Sequence, residues 1–316
     1  MQIYRQFKII LISVFILADS ILNVDATLSC ADRAPLDMIQ KIAHHFFERH
    51  NHFSSQKDVW GPYHLDLTFE ALLTVDQISG ETEYLKKIQH IMKKRNYQPS
   101  DTIDYRTQPF CNISFALFQA TSDSDYIDPF LSETRKMLAE AGKSVEGAVG
   151  HKPDYPGRHL LIDYLQEYAS RMAKAGWLTG DEVFFEECVN QFVLYKSILK
   201  NPETGLWSQG RGWLDDPMAL SPGAWSRGHG WLIRGMVSSL DYLPPDSEYF
   251  HTIQEMLKEL ADALLKVQDE NGMWHQLLNR PFDESYPESS GTGLIAYNLA
   301  KAHHKGYLDG DKYKHA

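Results

Sequence analysis

Thr179-Gly-Asp-Glu-Val-Phe184 is the stretch that decides the fold. A glycine turn is followed by capping and acidic side chains, then by an aromatic residue that opens an apolar-periodic run. These are the parts of a helix start. They supply an oxygen for the orphan N–H groups, carboxylates beside the positive end of the helix dipole, and an apolar anchor on the first turn. The pattern recurs at Ser79-Gly-Glu-Thr-Glu-Tyr84, Ser122-Asp-Ser-Asp-Tyr126, Pro245-Asp-Ser-Glu-Tyr249 and Asp309-Gly-Asp-Lys-Tyr313. Intervals of roughly 40 to 65 residues are those of helical-pair repeats.

Between these starts lie more uniformly apolar runs: Tyr63 to Ile78, Pro109 to Ala120, His159 to Ala175, Trp231 to Leu243 and Glu288 to Lys305. Period-2 strand alternation is almost absent. The chain is therefore read as all-α, with exposed amphipathic helices alternating with more buried ones. Curling such hairpins into a ring gives a double-layered helical barrel whose inner-helix starts gather at one rim and form a pocket. The alternative is an open solenoid with a groove. About eleven helix starts can be counted, the last cut short at Ala316, so either the chain is truncated, lacking the end of a six-hairpin ring, or the ring closes imperfectly.

The chain has 316 residues, of which 43% are hydrophobic and 12% aromatic, ample for a large core. A formal net charge of -11 argues against nucleic acid or an anionic membrane as partner. Any anionic substrate needs a local basic site. Arg5 and Lys8 precede an apolar run from Ile9 to Ala18, which fits an export signal and is too short to span a membrane. Residues 1–29 are thus expected to be a signal peptide and 30–316 a single domain, periplasmic or secreted. An uncleaved N-terminal helix is the alternative. Cys30 raises a lipid anchor, although Thr27-Leu28-Ser29 is a poor lipobox. Cys188 falls in an apolar stripe with Phe184 and Phe192 and reads as core, while a Cys111–Cys188 disulfide stays open. No CxxC or HExxH spacing occurs, and no metal is expected.

Trp225-Ser-Arg-Gly-His-Gly-Trp231 packs two indoles, a guanidinium and an imidazole against the start of an apolar helix. Indole faces suit sugar rings, and an arginine fork pairs with a carboxylate through parallel hydrogen bonds. Gly228 and Gly230 let backbone approach a ligand, and a helix N-terminus favours an anion. The combination suggests a pocket for an acidic, ring-shaped molecule. The competing interpretation is a tightly packed helix start with both tryptophans in the core.

Asp163 stands in His159-Leu-Leu-Ile-Asp163-Tyr-Leu, where burial would raise its pKa and suit a general acid. A helix cap or salt-bridged carboxylate is the alternative. Asp104, in Ile103-Asp104-Tyr105-Arg106, precedes another inner helix and reads equally as a solvated loop residue. Trp207, Gln209, Arg211 and Trp213 form a polar-aromatic loop, and Trp60 with Tyr63 resembles it before the first inner helix. Glu288-Ser-Ser-Gly-Thr292 reads as a capping segment.

At Asp163, Thr204-Gly-Leu-Trp207, Trp225-Ser-Arg-Gly-His-Gly-Trp231 and Glu288-Ser-Ser-Gly-Thr292, the chain resembles glycoside hydrolase family 88/105. These are the unsaturated glucuronyl and rhamnogalacturonyl hydrolases. The resemblance runs from about Tyr155 to Leu308. It implies an (α/α)6 barrel that uses no metal or cofactor. It also implies a substrate that is an acidic oligosaccharide ending in a 4,5-unsaturated uronic acid, pectin-type fragments being favoured. The implied reaction is hydration of the C4=C5 double bond. Carried over, Asp163 protonates C4, Arg227 holds uronate oxygens, Trp231 lines the sugar face and Asp104 matches the second aspartate. Trp225, Trp207 and Trp60 are further candidate binding residues.

Two departures from the family pattern stand out. Gln209 replaces a histidine and cannot titrate, and His229 replaces an asparagine, with His151 a second candidate to compensate. An inverting glycosidase using Asp163 with Asp104 or Glu288 is one competing reading. An epimerase using His151 and His229, and a non-catalytic saccharide-binding protein, are the others. A monomer or weak homodimer is expected.

Overall fold

The structure is a computed structural model that describes residues 30–49, 62–94, 111–150 and 159–316. The chain divides into two compact units, Met1–Met137 and Leu138–Ala316.

In the first unit, α1 (Cys30–Arg49), α2 (Pro62–Ser79), α3 (Glu83–Lys94) and α4 (Cys111–Thr121) precede α5 (Ile127–Glu140), which runs across the boundary. Helix α2 packs against α1, α3 and α4. Its core is built from Phe69, Leu72, Val75, Ile88, Ile113 and Leu117, all buried. Buried Asp76 accepts the Leu85 backbone N–H at 2.6 Å, pinning the reversal between α2 and α3.

In the second unit, a π turn over Leu165–Ala169 runs into α6 (Ser170–Thr179), followed by α7 (Glu182–Leu199), α8 (Ser226–Leu240), α9 (Glu248–Leu265) and α10 (Ser289–His304). Helix α8 is central, packed against the π turn, α6, α9 and α10. Helices α7 and α9 pack on each other and against this inner set. Tyr168, Met172, Ile233, Met236, Val237 and Ile295 are fully buried between them, each contributing about 1.5–3 kcal/mol of hydrophobic stabilisation.

The helix starts read at Thr179 and Pro245 are where the structure has them, whereas the run read as a helix from His159 turns helical only at Leu165. Asp181 caps α7 by accepting the Val183 N–H, and Ser247 caps α9 by accepting the Phe250 N–H, both at 3.2 Å. Gly180 closes α6 in the left-handed conformation, φ 70°. The Asp309 repeat yields only a short 3-10 turn at Asp311–Tyr313.

One open question closes and two details of the sequence reading are corrected. Cys188 is a free, fully buried thiol, its Sγ 3.6 Å from Ser239 Oγ, so the disulfide is not formed. The second unit contains a ladder, β1 (Leu160–Leu161) antiparallel to β2 (Gly210–Arg211), too short to leave an alternating pattern. The tryptophan-flanked motif is not a loop before a helix, because α8 begins at Ser226 and the motif forms its first two turns. Its glycines serve packing. A Cβ at Gly228 would lie 2.9 Å from Ile162 Cδ1, and one at Gly230 would lie 2.6 Å from Leu294 Cβ. Among the described residues, no helix is long and apolar enough to cross a membrane.

Candidate active site

One continuous chain of backbone hydrogen bonds gathers the starts of the inner helices of the second unit. Ile162 N–H donates to Gln209 O at 3.1 Å, and Gln209 N–H donates to Gly223 O at 3.1 Å. Leu278 N–H donates to Ala224 O at 2.8 Å, and Ser226 N–H donates to Gln276 O at 3.1 Å. Glu288 N–H then donates to Trp274 O at 2.9 Å at the head of α10. Asp163, Gln209, Arg227 and Glu288, far apart in sequence, are thereby held on one framework.

Asp163 ends the segment that follows β1 and leads directly into the π turn. It is half-buried, and its Oδ1 atom is shielded from solvent. A π turn carries one residue more than an α turn and is frequent at functional sites. Here the widened turn faces Gly235 of α8, where a Cβ would lie 3.0 Å from Gln166 Cα.

Arg227 lies on the first turn of α8. Its guanidinium stacks 4.2 Å from the Trp225 ring centroid, a cation–π contact. Its Nη1 donates to Ser290 Oγ at 3.3 Å and lies 3.7 Å from Glu288 Oε1. Glu288 caps α10: its carboxylate accepts the Ser290 N–H at 3.2 Å, the Gly291 N–H and the Ser290 hydroxyl. Arg227 Nη2 and Nε make no hydrogen bond to the described residues. Trp231, half-buried, follows one turn later on the same helix face. Gln209 is half-buried, with its backbone in the framework above and its side-chain amide in no hydrogen bond to the described residues.

His229 has a structural role instead of the expected ligand contact. It is fully buried; Nδ1–H donates to Trp225 O at 2.8 Å, and Nε2 accepts the Trp207 backbone N–H at 3.0 Å. Because Nε2 accepts, the proton is on Nδ1. Burial lowers its pKa to about 4, so the ring is neutral at pH 7. Trp207 is likewise core, 2% exposed. Trp225 spends one ring face on Arg227. Asp104, Trp60 and His151 lie outside the described residues.

Sequence reasoning missed the pairing of Glu288 with Arg227, having read Glu288 as a cap alone. It also missed the buried Arg211, which forms a two-pronged pair with Glu146 at 2.8 Å for each prong. The Arg211 hydrogen bonds hold the Glu146 pKa down at about 2. Neither pair leaves a local sequence signal. Trp213, 45% exposed, stacks on His159 with centroids 4.6 Å apart and directs Nε1–H to Leu160 O at 3.4 Å, beside the Asp163 segment.

The sequence signature of Glycosyl Hydrolase Family 88 matches residues 37–316.

The chain belongs to this family.

It is 27% identical to the unsaturated rhamnogalacturonyl hydrolase YesR of Bacillus subtilis, over 58% of this chain and 54% of that protein. It is 34% identical to an unsaturated 3S-rhamnoglycuronyl hydrolase of Formosa agariphila, over 37% of this chain and 26% of that one. The chain thus spans between about a quarter and just over half of these relatives' lengths. A glycoside hydrolase of family 105 from C. acetobutylicum superposes with TM-score 0.71 at 26% identity, covering 85% of this chain and 78% of that chain. An unsaturated glucuronyl hydrolase from Bacillus sp. GL1 gives TM-score 0.60 at 17% identity, covering 79% and 69%, a likeness of fold. These neighbours are (α/α)6 barrels, the fold class to which this family 88 chain belongs.

Proposed function

We propose that this chain hydrolyses lyase-generated oligosaccharides, removing a 4,5-unsaturated uronic acid from the non-reducing end, with rhamnogalacturonan-type fragments favoured. The observation that carries this reading is the state of Arg227. Trp225, Ser290 and Glu288 hold its guanidinium in place through one edge and one face. The remaining Nη2 and Nε donors match a carboxylate, and the N-termini of α8 and α10 add positive potential.

In the proposed reaction, the protonated Asp163 carboxyl gives its proton to C4. The cation that develops at C5 is stabilised by the ring oxygen. Water adds at C5 and returns a proton to the Asp163 carboxylate. The resulting hemiketal opens by breaking its C5–O5 bond, which leaves a ketone at C5 and a hemiacetal at C1; the hemiacetal collapses to an aldehyde, breaking the C1–O bond and releasing the neighbouring sugar as an alcohol. Asp163 is the acid of this reading, with its Oδ1 atom buried at the head of the π turn. Trp231 offers an apolar surface one turn from Arg227, and Gln209 is tied by its backbone to Ile162, next to Asp163 in the chain. The tool for testing this is the ultraviolet absorbance of the conjugated enoate, which should decay when lyase products are added. Stable absorbance with a panel of such substrates and folded protein would refute the reading.

Two rival readings lose support. Both Glu288 oxygens are engaged by the head of α10, which leaves the residue poorly suited to the second carboxylate of an inverting glycosidase. An epimerase would need His229, whose ring nitrogens are both held by backbone. Gln209 favours a third reading, saccharide binding without turnover, since an amide cannot exchange a proton. Calorimetric binding without loss of absorbance would establish it. We also place the protein outside the cytoplasm, on the export-type N-terminus; fractionation of the native host tests this.

A further inference from the structure

A cavity of about 750 Å3 lies at the pole of the second unit opposite the candidate active site. The candidate active site sits where the inner helices begin. This cavity sits where they end: at Gly176–Gly180 after α6, Leu240–Leu243 after α8 and Lys305–Tyr307 after α10. Its size is that of an ordinary small-molecule site.

The wall is aromatic. Trp177 meets Tyr242 edge-on with centroids 5.7 Å apart, and Phe250 meets Tyr307 likewise at 5.7 Å. Trp177 is 52% exposed, unusual for an indole with no assigned role. Polar groups interrupt the wall. Gln254 donates from Nε2 to Tyr307 O at 3.2 Å, and Asp241 accepts from the Tyr307 hydroxyl at 2.8 Å.

The charge pattern selects the ligand. Three helix C-termini converge here, and the negative ends of their dipoles disfavour anions and favour hydrogen-bond donors. A cation would look to Asp241, but that carboxylate is already paired with Lys301 Nζ at 3.0 Å and with Tyr307. Lys305 on the wall adds a further positive charge. What fits is an uncharged molecule with hydroxyl donors along one edge and an apolar C–H face for the rings.

We infer that the cavity between the C-terminal ends of α6, α8 and α10 is a binding site for a neutral sugar residue. It is separate from the site proposed for the acidic end of the substrate, and the inference does not depend on turnover.

Saturation-transfer NMR of the full chain with methyl glycosides of glucose, galactose and rhamnose tests this. At least one should bind at millimolar concentration. Trp177→Ala should weaken it about tenfold, the loss of roughly one aromatic contact, and Gln254→Ala should weaken it in the same direction. Arg227→Ala should leave it unchanged. Thermal melts of each variant verify folding. The inference is overturned if no neutral glycoside binds, or if folded Trp177→Ala and Gln254→Ala both bind as the parent does. It is equally overturned if methyl galacturonate or tetramethylammonium displaces the neutral sugar at lower concentration.

Discussion

The guanidinium of Arg227 and the carboxylate of Glu288 lie 3.7 Å apart, joined through the hydroxyl of Ser290. One residue opens α8 and the other caps α10, so the contact fixes the heads of two inner helices to each other and aims the arginine. Under the proposed function, this anchoring of Nη1 sets the orientation in which Nη2 and Nε would meet the uronate carboxylate.

Arg227→Lys should cost about 1.5–3 kcal/mol in kcat/KM on unsaturated uronides, the range for a hydrogen bond to a charged group. Lysine keeps the charge but cannot present a planar fork or stack on Trp225 in the same way. Steady-state kinetics should show the loss, and an unchanged kcat/KM would remove Arg227 from the site.

Asp163→Asn should abolish the decay of enoate absorbance while leaving the thermal melt close to that of the parent. An amide in that place cannot deliver a proton to C4. Residual turnover near the parent rate would reassign the acid to another group.

His229 predicts a pH dependence of stability. Burial lowers its pKa from 6.5 to about 4. The unfolded chain therefore binds the extra proton first as pH falls. The stabilisation is complete above pH 6.5 and is lost progressively between 6.5 and about 4, by up to about 3 kcal/mol. Urea titrations across that window should show the loss. His229→Gln should flatten it, and should also lower stability at pH 7 by about 1–3 kcal/mol if the Trp207 N–H or the Trp225 carbonyl is left unsatisfied. Glu146 acts lower down, its contribution from Arg211 draining as pH falls from 4.5 towards about 2.

Gly230→Ala should destabilise, although alanine is favoured over glycine inside a helix by about 1 kcal/mol. The new methyl would lie 2.6 Å from Leu294 Cβ. Prising α8 from α10 costs about 1–3 kcal/mol and outweighs the gain. A lower melting temperature is expected, and a higher one would mean that the two helices part easily.

What was legible in the sequence was local. Asp181 and Ser247 cap helices because a cap is decided by a few consecutive residues, and the alternation of inner with outer helices follows from composition over single turns. The conjunction of Asp163, Arg227 and Glu288 segments could be read only through resemblance, since each motif alone looks like a helix start. The glycines of the tryptophan motif were misread because sequence does not tell a gap left for a ligand from one filled by Ile162 or Leu294. His229 was misread for a related reason. Whether an imidazole faces a pocket or two backbone groups depends on the distant Trp207 loop. The π turn gave no sign at all, since its residues are ordinary helix formers.

That π turn makes the aim of Asp163 a matter of counting. Leu165–Ala169 holds a surplus residue relative to a regular helix. Deleting any one of its members would let the turn relax into an α geometry and swing the preceding carboxylate about the axis by about 100°, with every side chain of the site still present. Evolution can therefore silence or redirect such an acid without substituting it, and a chain that has lost one letter there would keep its signature residues and point its proton elsewhere.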